Sequence, residues 1–150
     1  MLTPLNQIID IMAAFASHHK QIAMFATLPS EEFISKNKEY PFFIIEPNDA
    51  EIGNGQIVIT FVIYALDRVN KDDQNINNVL SNCMNIIEDF WVFFNENLDQ
   101  YGFYLQEQNA TMTRVAYMFG DMLAGYKLSV KCQVPMFRSE GQIPIKTPII

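Results

Sequence analysis

The residues able to do chemistry are few and scattered along the 150-residue chain. His18 and His19 are adjacent, and neighbouring helical positions point about 100° apart. The pair would need further ligands at helical or hairpin spacing to hold a metal, and none stands there. It reads instead as cations set near the negative end of a helix dipole. Asp67, Asp72 and Asp73 crowd one connector but lack the alternating oxygen ligands, central glycine and terminal glutamate of a calcium loop. Gly53-Asn54-Gly55 leads into a strand-like run, not into a helix whose N-terminus would cradle phosphate, and reads as a turn. Ser17, Ser30, Ser35, Ser81, Ser129 and Ser139 have no nucleophile-elbow context, and the adjacent carboxylates Glu88 and Asp89 diverge on a helical pattern. Cys83 and Cys132 form no Cys-x-x-Cys motif and read as small buried hydrophobes. The expectation is a non-enzyme with no catalytic residue, no metal and no cofactor.

The elements that would position such groups are plainer than the groups. Thr3 can cap and Pro4 can open a first helix whose apolar face is Leu5, Ile8, Ile9, Met12, Phe15 and Ala16. Residues 26–40 read as a polar connector, in which Leu28-Pro29-Ser30-Glu31-Glu32 starts a short helical turn. The run from Tyr40 to Pro47 is aromatic and β-branched and reads as a strand, with turns supplied by Asn48-Asp49 and by Gly53-Asn54-Gly55. Gln56 to Leu66 is the strongest β pattern, with Ile57, Ile59, Phe61, Ile63 and Ala65 on one face and Val58, Thr60, Val62, Tyr64 and Leu66 on the other. Both faces are largely apolar, so the strand either lies centrally under helices or has its second face covered by another subunit.

Asp67 to Asn75 is a charged connector. A long helix follows to about Leu98 on the stripe Ile76, Val79, Leu80, Cys83, Ile87, Phe90, Trp91, Phe94 and Leu98. Its aromatic end, Phe90 to Phe94, reads as core packing, with a partner surface as the alternative. Tyr101–Gln106 and Ala110–Met118 read as a hairpin around Glu107-Gln108-Asn109. Met122–Val134 alternates, with Ala124, Tyr126, Leu128, Val130, Cys132 and Val134 inward and Gly125, Lys127, Ser129, Lys131 and Gln133 outward. The fold class expected is α+β: an antiparallel or mixed sheet of about four to five strands packed against an N-terminal helix and one long central helix. We expect one domain over 1–135 and an extended C-terminal arm over 136–150, whose isoleucines suit docking better than solvent.

Composition points the same way. Apolar residues make up 49% of the chain and charged ones only 18%, which leaves apolar surface to be hidden against partners. The net charge of −7 argues against gripping a phosphate backbone. Segments 1–40, 41–109 and 110–150 carry −1, −9 and +3, so a solvated acidic face is one reading and an acidic side meeting the basic side of a next copy is the other. Met1 to Asp10 shows neither a basic n-region nor a long apolar run, so we expect no signal peptide, no membrane span and a reducing cytosol at synthesis.

The order of elements over residues 3–135 resembles the tail-terminator, tail-completion and head-to-tail connector ring proteins of long-tailed bacteriophages. Phe119-Gly120-Asp121-Met122-Leu123-Ala124-Gly125-Tyr126 is similar to the F-x-D-x-x-x-G-aromatic step of such proteins in phages of Bacteroidetes, including the crAss-like group. Leu5-Asn6-Gln7-Ile8-Ile9-Asp10-Ile11 and Tyr64-Ala65-Leu66-Asp67-Arg68-Val69-Asn70-Lys71-Asp72 also look similar. The resemblance implies a structural virion protein that forms a ring of six or twelve copies at the head–tail junction or upper tail. Its partners would be itself and neighbouring portal, adaptor or tail proteins, with genomic DNA only as transiting cargo. It would reside in the host cytoplasm before assembly. A ring needs heterologous contacts. For these the candidate interface residues are Val58, Val62, Tyr64, Arg138, Ile143, Ile145, Ile149 and Ile150. The alternative reading is a small-molecule or peptide-binding module or regulator.

Overall fold

The computed structural model describes residues 3–27, 39–70, 72–116, 122–136 and 144. Helix α1 spans Pro4–His18, and the Thr3 hydroxyl accepts from the Asn6 N–H at 3.4 Å, as the capping pattern predicts. Ile8, Ile11, Met12, Phe15 and Ala16 are buried, whereas Leu5 stays 39% exposed. The buried stripe therefore runs through Ile11 instead of Leu5. Strand β1, Met24–Thr27, occupies chain that the sequence assigns partly to a connector. It pairs parallel to β2, Phe42–Gly53, with Met24 opposite Phe42 and Thr27 opposite Ile45.

β2 does not turn at Asn48-Asp49. The register shifts between Pro47 and Ala50, and the strand resumes to Gly53. Pro47 has no N–H to give, and a bulge is where a sheet tolerates that loss. The reversal comes at Asn54 and Gly55, whose φ values of 53° and 73° suit an Asn-Gly two-residue hairpin turn. Strand β3, Gln56–Arg68, then pairs along its whole length with β6, Leu123–Pro135.

Between them lies α2, Ile76–Leu98. Its entry is tied by Asn75, whose Oδ1 accepts from the Asn70 N–H at 2.7 Å while its Nδ2 donates to the Arg68 carbonyl at 3.2 Å. After a 3-10 turn at Asp99–Tyr101 the chain reverses at Gly102, φ 73°. The expected hairpin that follows is not formed. β4, Tyr104–Leu105, and β5, Met112–Ala116, each pair with β6 instead. Leu105 faces Cys132 and Met112 faces Leu128, so seven steps of this edge span four steps of β6 and about three residues are extruded as a loop.

The result is α+β with a six-stranded mixed sheet in the order β1-β2-β3-β6-β4, with β5 also on β6. Six strands replace the four to five expected, because β1 is added. Both helices cover one face, where Phe43, Phe61, Ile63, Phe90 and Phe94 form the main core. The other face holds a smaller apolar cluster of Phe42, Ile44, Tyr64, Leu66 and Leu123. The arm expected over 136–150 lies almost wholly outside the described residues, as does the turn expected at 28–32.

Candidate functional site

The two histidines are held by contacts within their own fold. His19 Nδ1 accepts from the Gln21 N–H at 3.2 Å, which leaves the ring proton on Nε2 to donate to Asp89 Oδ2 at 2.9 Å. The ring also lies 5.2 Å from Phe15, so this histidine clamps the end of α1 onto α2. His18 Nδ1 donates back to the Ala14 carbonyl at 2.9 Å. Among the described residues no three His, Cys, Asp or Glu side chains converge as metal ligands. No helix among them is long and apolar enough to cross a membrane.

The two cysteines are free and buried under the helices. Burial pushes both thiols up to about 12, helped at Cys83 by the charge of Asp67. Neither supplies a thiolate near neutral pH. Native protein at pH 8 should therefore leave a thiol reagent such as DTNB unreacted, while both thiols should titrate at once in denaturant. Rapid labelling of a native cysteine would show an open core.

Asp67 ends the helix-facing row of β3, and burial raises its carboxyl above the ordinary value even though the Arg68 N–H donates to it at 2.7 Å. A carboxyl raised in the fold carries a penalty that is complete above its folded pKa and absent below its unfolded value of about 3.9. Asp67→Asn should accordingly be more stable than the parent at pH 7, with the difference vanishing as the pH falls toward that value. Chemical denaturation at a series of pH values reads the effect directly.

What remains available for function is the sheet face opposite the helices. The pairing of β3 with β6 sets Tyr64 beside Lys127, Val62 beside Ser129, Thr60 beside Lys131 and Val58 beside Gln133. A column of β-branched side chains on β3 thus runs alongside a column on β6 with a lysine at each end of Ser129. Val62 and Tyr64 of β3 with Lys127, Ser129 and Lys131 of β6 line an open groove of about 760 Å³, which is bordered by Glu46 on β2 and by Glu107 in the extruded loop and reaches round the β6 edge to Trp91 of α2. Lys131 is exposed and Lys127 half-buried, and neither makes an ion pair among the described residues. A smaller hollow of about 240 Å³ lies across that loop, against Trp91 and Met112.

The candidate interface residues divide. Val58 and Val62 sit on the groove side, each half-buried, and retain surface for a neighbour. Tyr64 is only 6% exposed and belongs to the smaller apolar cluster of its own protomer, so it has little area left to offer. Arg138, Ile143, Ile145, Ile149 and Ile150 lie outside the described residues. Sequence reasoning missed Val92, 55% exposed on the solvent side of α2, although its place off the apolar stripe was available as a signal. No protein-family model matches the chain, and no curated protein matches it in sequence.

Proposed function

We propose that this protein is a non-enzymatic structural subunit of a bacteriophage virion. It assembles as a ring of six or twelve copies at the head–tail junction or upper tail, against portal, adaptor or other tail proteins. The observation that carries the subunit reading is the one-sided architecture: helices cover one face of the sheet. The other carries half-buried Val58 and a groove lined by half-buried Val62 and two lysines without ion-pair partners among the described residues. Such a face is what a second copy would finish. Its placement in a virion rests on the resemblance of residues 119–126, 5–11 and 64–72 to tail-terminator and connector proteins.

Imaging of the parent virion tests the reading. Density for this chain at the junction or in the tail supports it, and its absence from both overturns it. The groove also favours a second reading, a small-molecule or peptide site, because about 760 Å³ lies within the usual range of ligand pockets. Thermal shift against a metabolite and peptide library distinguishes the two: a rise of the midpoint with one ligand supports the second.

A further inference from the structure

The solvent side of α2 has the complement of the lysine groove. No Lys or Arg occurs from Ile76 to Leu98. With Val79, Cys83, Ile86, Phe90 and Phe94 buried on one side, the opposite side exposes Met84, Glu88, Val92 and Glu96. The last three follow at intervals of four, so they form one ridge in which an exposed valine stands between two carboxylates. Glu88 and Glu96 lie about 12 Å apart along the helix. Lys127 and Lys131 lie about 13 Å apart along β6. Halfway between the lysines sits the pair Val62 and Ser129, just as Val92 sits halfway between the acids. The two patterns match in charge, in spacing and in the apolar contact at the centre, and one is convex where the other is concave.

We propose that the Glu88–Val92–Glu96 ridge of one copy seats in the Lys127–Lys131 groove of a second copy, with the helix laid along β3 and β6. The lysines project from the side of β6 that faces away from α2, and the extruded loop with Asn109 and Ala110 stands between their groove and the hollow beside Glu88. Ridge and groove are thus different patches, and a contact between them is heterologous, the kind that closes a ring. Glu46 is carried by β2, two strands from β6, and Glu107 by the extruded loop at the β6 edge, and both acids line the groove on either side of the lysine column. Asp89 is engaged by His19 of its own chain and takes no part. The seat specifies the partner surface within the ring reading and rests on that reading only for its copy number and location.

Sedimentation of the full chain over a concentration series reads the contact. The parent should self-associate below about 1 mM, the weak end of specific affinity. The double variants Glu88→Lys/Glu96→Lys and Lys127→Glu/Lys131→Glu should each weaken that association by about a hundredfold or more, since like charges then face one another. Mixed in equal amounts the two variants should associate again, because ridge and groove are complementary at every contact when the two kinds alternate. Circular dichroism should show both variants folded, since three of the four positions are exposed and Lys127 is half-exposed. A parent that stays monomeric up to that concentration overturns the seat, as does association that survives either reversal or fails to return on mixing. Association that survives both reversals removes this surface and leaves the ring reading standing. Loss and rescue as expected, together with a virion lacking the chain, removes the ring reading and leaves the seat.

Discussion

Gly125→Ala is expected to cost about 3 kcal/mol or more, the upper end of what overpacking a core does. Gly125 lies opposite Leu66 in the β3–β6 ladder, and a Cβ built on it would stand 1.9 Å from the Ala65 carbonyl oxygen and 2.9 Å from its carbon. Both obstacles are backbone, so no rotamer change relieves them, and the strand must move by about 1 Å to restore ordinary contact. The move would reach Phe61 and Ile63 in the core, because β3 carries them on the same ladder. For a chain of this length the loss corresponds to a fall in melting temperature of roughly 6–12 °C. Gly55→Ala is the control. Its Cβ would meet nothing within 4 Å, and its only penalty is the left-handed φ of 73°, about 1–2 kcal/mol. Equal losses at the two positions would show that the close approach at Gly125 is relieved in solution.

That glycine shows where sequence reading stops. It stands out in the sequence as one member of a family-like step, yet the reason for it appears only when β3 and β6 are laid side by side. Helices and long strands are legible because their signal is local: Thr3-Pro4 at a helix start, apolar residues at three-and-four spacing along α2, strict alternation along β6. Pairing is not local. Tyr104–Leu105 and Met112–Ala116 look like the two arms of a hairpin because a polar stretch separates them, but β6 offers each arm a longer partner than the other arm could. Strand β1 is four residues long and is held by β2 and by the Pro41 carbonyl, which accepts from Ala23 and Met24. Nothing within Met24–Thr27 announces that.

The interaction surfaces divide along the same line. The lysine column of β6 is visible in the sequence as the wet half of an alternation, and the structure adds only its neighbour, the Val58–Thr60–Val62 column of β3. The ridge on α2 escapes notice because an amphipathic pattern draws the eye to the buried stripe. The exposed residues are then read as solubility alone. Tyr64 shows the opposite error: alternation puts it on the outer face, and it is there, but the smaller apolar cluster of that face buries it. Alternation decides which face a side chain takes and says nothing of how deeply that face is covered.

Phe90→Ala should be the most damaging truncation on α2, at about 3–5 kcal/mol. The ring is fully buried, stacks on Phe94 at 5.0 Å, meets Phe15 edge-on at 5.5 Å and lies 5.7 Å from Phe43. It is therefore the point where α1, α2 and β2 touch one another, and its removal opens a void that three separate elements would have to collapse to fill. Phe15 belongs to the same group, since its own ring reaches Phe43 and Phe93 at 5.5 Å each. The double variant Phe15→Ala/Phe90→Ala should consequently lose less than the two single losses combined, by about 0.5–1.5 kcal/mol, the extra worth of an aromatic pair beyond its area. Phe90→Leu should recover most of the stability by refilling the volume without restoring the edge-on contact. Chemical denaturation of the parent and these four variants measures all of this. Additive losses would mean that α1 and α2 each pack on the sheet independently, and the aromatic junction would then be a neighbourhood and not a joint.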